Sequence, residues 1–143
     1  MRNLKALGEA LRWKLEPSKD RFPYRPVGAD IQRDFEVNDQ QLKTIKQHAK
    51  NFAAQQGKVL GYDPDPDFHC WRVVDHTERE AVFRILMYGS ANWRDAGKSY
   101  LYQAEGAYNA GVLAEATLIA IRELVEEFDK RIELLEKGMS QRT

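Results

Sequence analysis

The 143-residue chain carries 22 basic and 22 acidic side chains, a length that fits one domain with its own core and a charge balance too even to demand a nucleic acid as partner. Its 43% apolar and 31% charged composition is that of a soluble globular protein, and no run approaches the roughly 18 uncharged apolar residues that a membrane span needs. A single cysteine, Cys70, excludes an internal disulfide framework and, with no apolar leader after Met1, points to a cytoplasmic protein.

The first predicted element is a helix, because Leu4, Leu7, Leu11 and Leu15 fall on one stripe before Pro17 ends the pattern. Trp13 sits nearly opposite that stripe, where it either anchors a partner or is covered by the arm that follows. That arm, residues 16–30, holds Pro17, Pro23 and Pro26 and should be extended. Within it Arg21, Phe22, Tyr24 and Arg25 mix basic and aromatic side chains, a combination that can stack on bases or lie across another protein. Ile31 to Val37 alternates apolar and polar residues and reads as a short half-buried strand.

Asn38 or Asp39 caps a helix running to about Gln56, with Leu42, Ile45, Ala49 and Phe52 inward and Gly57 as its stop. Lys43, Lys46 and Lys50 share another side of it, a basic stripe able to meet phosphates or simply to face solvent. Lys58 to Tyr62 and Phe68 to Val74 read as strands around the acidic loop Asp63-Pro64-Asp65-Pro66-Asp67. Thr77 and Glu80 have capping-box spacing and predict a helix over 78–88, although an 81–88 strand completing a hairpin is the alternative.

Residues 90–103 carry no clear period. A long helix is then expected over about 105–137, its first half rich in Ala and Gly for close packing. Its second half repeats Leu118, Ile121, Val125, Phe128, Ile132 and Leu135 at gaps of three and four. A helix of about 30 residues spans about 45 Å, longer than so small a domain is wide, so part of that seam should overhang. Covering it with a second copy would recover about 1.5–3 kcal/mol per side chain, and a helix facing its own domain is the alternative.

Residues 1–143 together read as a single α+β domain: a small sheet of about three short strands, amphipathic helices and one long C-terminal helix. An all-α bundle is the alternative, since each strand is short. Asp63, Asp65 and Asp67 open like a calcium loop, but Phe68 stands where its glycine and Val74 where its closing glutamate belong. His69, Cys70 and His76 lack a second metal-ligand pair, and Gly97-Lys98-Ser99 lacks the glycine-rich turn of a phosphate-binding loop. No cofactor and no catalytic signature follow.

The pattern therefore describes a non-enzymatic interaction module, a small adaptor, regulator or inhibitor. It would self-associate, as a homodimer in the simplest case, through Leu118, Ile121, Val125, Phe128, Ile132 and Leu135, and meet another protein through Trp13, Phe22, Tyr24 and Arg25. The alternative is a nucleic-acid-binding protein using Arg21, Lys43, Lys46 and Lys50 in the more basic N-terminal part, where Met1 to Lys58 holds 12 basic against 7 acidic residues. A third reading, a metal-dependent hydrolase, would use the Asp63 to His76 region.

Overall fold

The computed structural model describes residues 3–16 and 24–141. Six helices and one two-stranded antiparallel sheet make up the described chain: α1 (Leu4–Lys14), α2 (Gly28–Phe35), α3 (Asp39–Gln55), β1 (Lys58–Asp63), β2 (Cys70–Asp75), α4 (Arg79–Tyr88), α5 (Trp93–Asn109) and α6 (Glu115–Gln141). This is an α+β fold, with two strands where three were expected. No described helix is long and apolar enough to cross a membrane.

The missing strand is α2. Ile31 and Phe35 are four apart as well as on alternate positions, so the same residues suit either period. The helix wins because the Asp30 carboxylate accepts a hydrogen bond from the Val27 amide at 2.9 Å, closing the first turn, while Ile31 is fully buried. The arm is correspondingly shorter: 24–27 belongs to no helix or strand, with Val27 extended, and Arg21, Phe22 and the remainder of 17–23 lie outside the described residues. Its end stays beside the sheet, where the Pro26 carbonyl accepts the Trp71 amide at 2.8 Å.

Helix α3 forms as its sequence dictates. Asn38 accepts from the Gln41 amide, Gln41 returns a bond to the Asn38 amide, and Gly57 takes φ +77° just beyond the last turn. The β1–β2 hairpin pairs Tyr62 with Trp71 and Leu60 with Val73. Its neighbouring residues Val59, Leu60, Val73 and Val74 are all buried because the sheet is covered on both faces. Leu60 and Val73 join Leu11, Leu15, Ile31, Ile45 and Ala49 in one core; Val59 and Val74 join Val82, Phe83, Tyr100, Leu118, Ile121 and Phe128 in the other.

The segment 79–88 is helical, as expected, but the capping box on which that expectation rested does not form. Thr77 donates its hydroxyl to Asp75 at 2.8 Å, Glu78 accepts the Asp75 amide, and Glu80 reaches across to Arg131 instead. The expected helix over 105–137 is two helices. Residues 93–109 already form α5, and the chain reverses at Gly111, whose φ of +77° lets the Val112 amide bond back to the Ala107 carbonyl. Of the small residues near this turn, Ala104 and Ala107 are packed into the core as expected, whereas Gly106 and Gly111 have open space where a Cβ would stand.

This reversal folds α6 back over the second core. Leu118, Ile121, Val125, Phe128 and Ile132 are all at most 5% exposed, and Phe128 stacks on Phe83 at 5.4 Å. Only Leu135 of the predicted seam is exposed, at 41%, beside Leu134. The seam is thus spent inside its own chain, and the overhang carries neither Phe128 nor Ile132. The apolar stripe was correctly placed; its partner was α4 and α5, not a second copy.

Candidate functional site

Between α3, the sheet, the end of α4 and the start of α5 lies an open groove of about 400 Å³. Its α3 wall presents Lys46, Gln47, Lys50 and Asn51, and its sheet floor presents Leu60, Gly61, Tyr62 and Trp71. Tyr88, Gly89 and Ser90 close one side, and Asp95, Ser99, Tyr100 and Gln103 line the other. The volume falls within the range of small-ligand sites.

The sequence builds each wall simply. Lys46 and Lys50 are one helical turn apart, so both ammonium groups leave α3 in the same direction. They lie 4.5 Å and 5.6 Å from the centre of the Trp71 ring, which β2 holds in place. Cross-strand pairing puts Tyr62 directly beside Trp71, and Tyr88 closes on Tyr62 with ring centres 4.9 Å apart. Gly61 lets α4 reach the strand, since a Cβ there would lie 2.5 Å from Ile85 Cγ2.

The electrostatics are unusual for lysines. Neither Lys46 nor Lys50 has an acidic partner among the described residues; their charges rest on the Trp71 face. Burial pushes the Lys46 ammonium below the ordinary lysine range, with the nearby Lys50 charge adding to it, and burial alone pushes Lys50 down. An incoming anion would relieve both effects. Lys58 also lines the groove but lies 3.9 Å from Glu16.

The other predicted residues are scattered. Lys43 is exposed on α3 and does not line the groove. Trp13 is 54% exposed and edge-on to Phe52. Tyr24 is tied down: it donates its hydroxyl to Asp34 and lies under Lys14, while burial and then that hydrogen bond push its phenol up. Arg25 donates to the Asp67 carbonyl at 3.3 Å and so braces the acidic loop. Trp13, Tyr24 and Arg25 do not line the groove.

The hydrolase region is spent on structure. Asp63 is fully buried and accepts hydrogen bonds from Arg72 at 2.8 Å and from Arg84 at 3.1 and 3.2 Å. Burial alone would push its carboxyl up, but the bonds from Arg84, the Asp65 amide and Arg72 outweigh that and hold it below the usual range. Burial pushes the Cys70 thiol up, against the pull of Arg25 and Arg72, which suits a core residue and not a nucleophile. Among the described residues no three His, Cys, Asp or Glu side chains converge on a metal position.

The fold and groove define a class: an α+β chain with two helical cores about one hairpin and an open cationic, aromatic groove between them. Compared with protein-family models, curated proteins and solved structures, the chain matches none. Its function has to be read from the groove itself.

Proposed function

We propose that this chain binds single-stranded nucleic acid and holds one nucleotide unit in the groove. The phosphate would sit at Lys46 and Lys50, and the base against the Tyr62, Trp71 and Tyr88 rings. The observation that carries the reading is the convergence of two lysines without acidic partners, among the described residues, over one aromatic face inside a groove of about 400 Å³.

Three physical arguments support it. Phosphate is the common biological anion that a pair of ammonium groups neutralises, and it arrives attached to an aromatic base. Base stacking on protein aromatics contributes about 1–3 kcal/mol per base and needs an unpaired base, which favours a single strand over a duplex. The groove's size suits one nucleotide and its open side leaves a path for the flanking strand. Self-association through the α6 seam has no comparable support, because five of its six residues are buried in the chain's own core.

The test is a titration of the protein with a short mixed-sequence single-stranded oligonucleotide over a salt series, followed by fluorescence anisotropy. Affinity should fall steeply with salt. A Lys46→Ala, Lys50→Ala double variant should flatten the log–log slope by about 1.4, from about 0.7 per lost phosphate contact. Because burial disfavours both charges, the substitution should leave the helical circular dichroism unchanged. No binding at low salt, or binding indifferent to salt and to these lysines, overturns the proposal.

A further inference from the structure

One acidic residue of the groove is left over by this reading. Asp95 is the only carboxylate among the described lining residues, and it stands on the α5 wall. Its carboxylate forms no ion pair or hydrogen bond among the described residues, although three lysines line the same groove. Its position is fixed from behind: Asn92 caps α5 by accepting the Asp95 amide at 3.2 Å, and Ser90 holds Asn92 by accepting its amide at 3.1 Å and donating to its carbonyl at 2.7 Å. The groove thus presents two ammonium groups on one wall and a free acceptor on another.

An ionised carboxylate only accepts hydrogen bonds, so what it meets in a bound ligand must donate. The bases differ sharply in this respect. Guanine offers a ring N–H beside an exocyclic amine, a pair of adjacent donors that matches the two carboxylate oxygens. Adenine and cytosine offer an exocyclic amine. Uracil and thymine offer one ring N–H flanked by two carbonyl oxygens, which a carboxylate repels.

Building on the nucleotide reading above, we infer that Asp95 is a base-specificity residue, and that the groove takes nucleotides with an amino-bearing base, guanine above all, in preference to uracil or thymine. Asn51 and Ser99 line the groove as well and can satisfy the remaining polar edge. A site built to pair a hydrogen-bonding edge rejects the ligand that lacks it more strongly than an apolar pocket rejects a wrong shape.

The experiment measures binding of the four ribonucleoside monophosphates at low salt by calorimetry, for the native chain and for Asp95→Asn and Asp95→Ala. The native chain should bind guanosine monophosphate about tenfold or more tightly than uridine monophosphate, with the adenine and cytosine nucleotides between them. Asp95→Asn, which offers a donor as well as an acceptor, should bring uridine monophosphate close to the others, and Asp95→Ala should reduce the spread without abolishing binding. Asp95 is exposed at the start of α5, so both variants should keep the native thermal transition. Equal binding of all four nucleotides that still requires Lys46 and Lys50 overturns the role of Asp95 while leaving the groove reading intact. A preference for uridine monophosphate does the same. Failure of every nucleotide and of the oligonucleotide to bind overturns both.

Discussion

Asp63 shows how a residue's chemistry is decided by what the fold brings to it. Three aspartates separated by prolines look like cation ligands in the sequence, yet Asp63 meets Arg72 from the opposite strand and Arg84 from α4. Neither contact could be read from spacing, because each depends on a hairpin register and a helix direction. Since the folded value is depressed, the stabilisation Asp63 provides is fully present above the ordinary carboxylate value of 3.8 and is lost as pH falls through the folded value. Asp63→Asn should cost about 1.5–3 kcal/mol at neutral pH, the worth of charged hydrogen bonds to arginines that keep some solvent contact. Urea denaturation over a pH series should show that difference shrinking in acid; a constant difference would remove the charge from the account.

Among the elements, α6 is where pattern and partner separate. Its three-and-four spacing specified an amphipathic helix and the correct inward face, but could not say whether that face meets another chain or its own. The Gly111 turn decides this by ending α5 and laying α6 back along it. The energetic contrast along the seam follows from burial. Phe128, 1% exposed and stacked on Phe83, should lose about 3–5 kcal/mol on Phe128→Ala, whereas Leu135→Ala at 41% exposure should stay within about 1 kcal/mol. Chemical denaturation measures both, and equal losses would mean that Leu135 is covered in solution. The Glu80–Arg131, Arg79–Glu127 and Arg94–Glu136 pairs along the same helix are exposed and add little individually.

For the whole molecule, the two cores meet at the hairpin and leave the groove where α3 and α5 diverge beyond it. Lys46 and Lys50 were legible in the sequence as neighbours on one helix face, while Tyr62, Trp71, Tyr88 and Asp95 were not legible as their companions. These residues lie on four further elements or loop ends that only folding gathers. The depressed lysines give the groove a pH signature. A bound anion favours their protonated forms, so affinity should fall as pH rises through their folded values, which lie below the ordinary 10.5. Over the same window the unfolded chain binds more protons than the folded one, so these two groups make the fold more stable with rising pH. Oligonucleotide affinity that falls in alkali while the thermal transition holds would fit the lysines; affinity flat to the onset of denaturation would not.

The sequence by itself determined what depends on near neighbours: the helix start at Asn38 and stop at Gly57, the two strands around the acidic loop, and the apolar faces of α1, α3 and α6. Those follow from backbone sterics, capping and period, which act over a few residues. Tertiary structure alone decided that 28–35 is helix, that the expected long C-terminal helix breaks at Gly111, that the seam is internal, and that two lysines, three aromatic rings and one carboxylate share a groove. Each of those depends on which surface covers which, a choice made by burial across the whole chain and invisible to any short stretch of it.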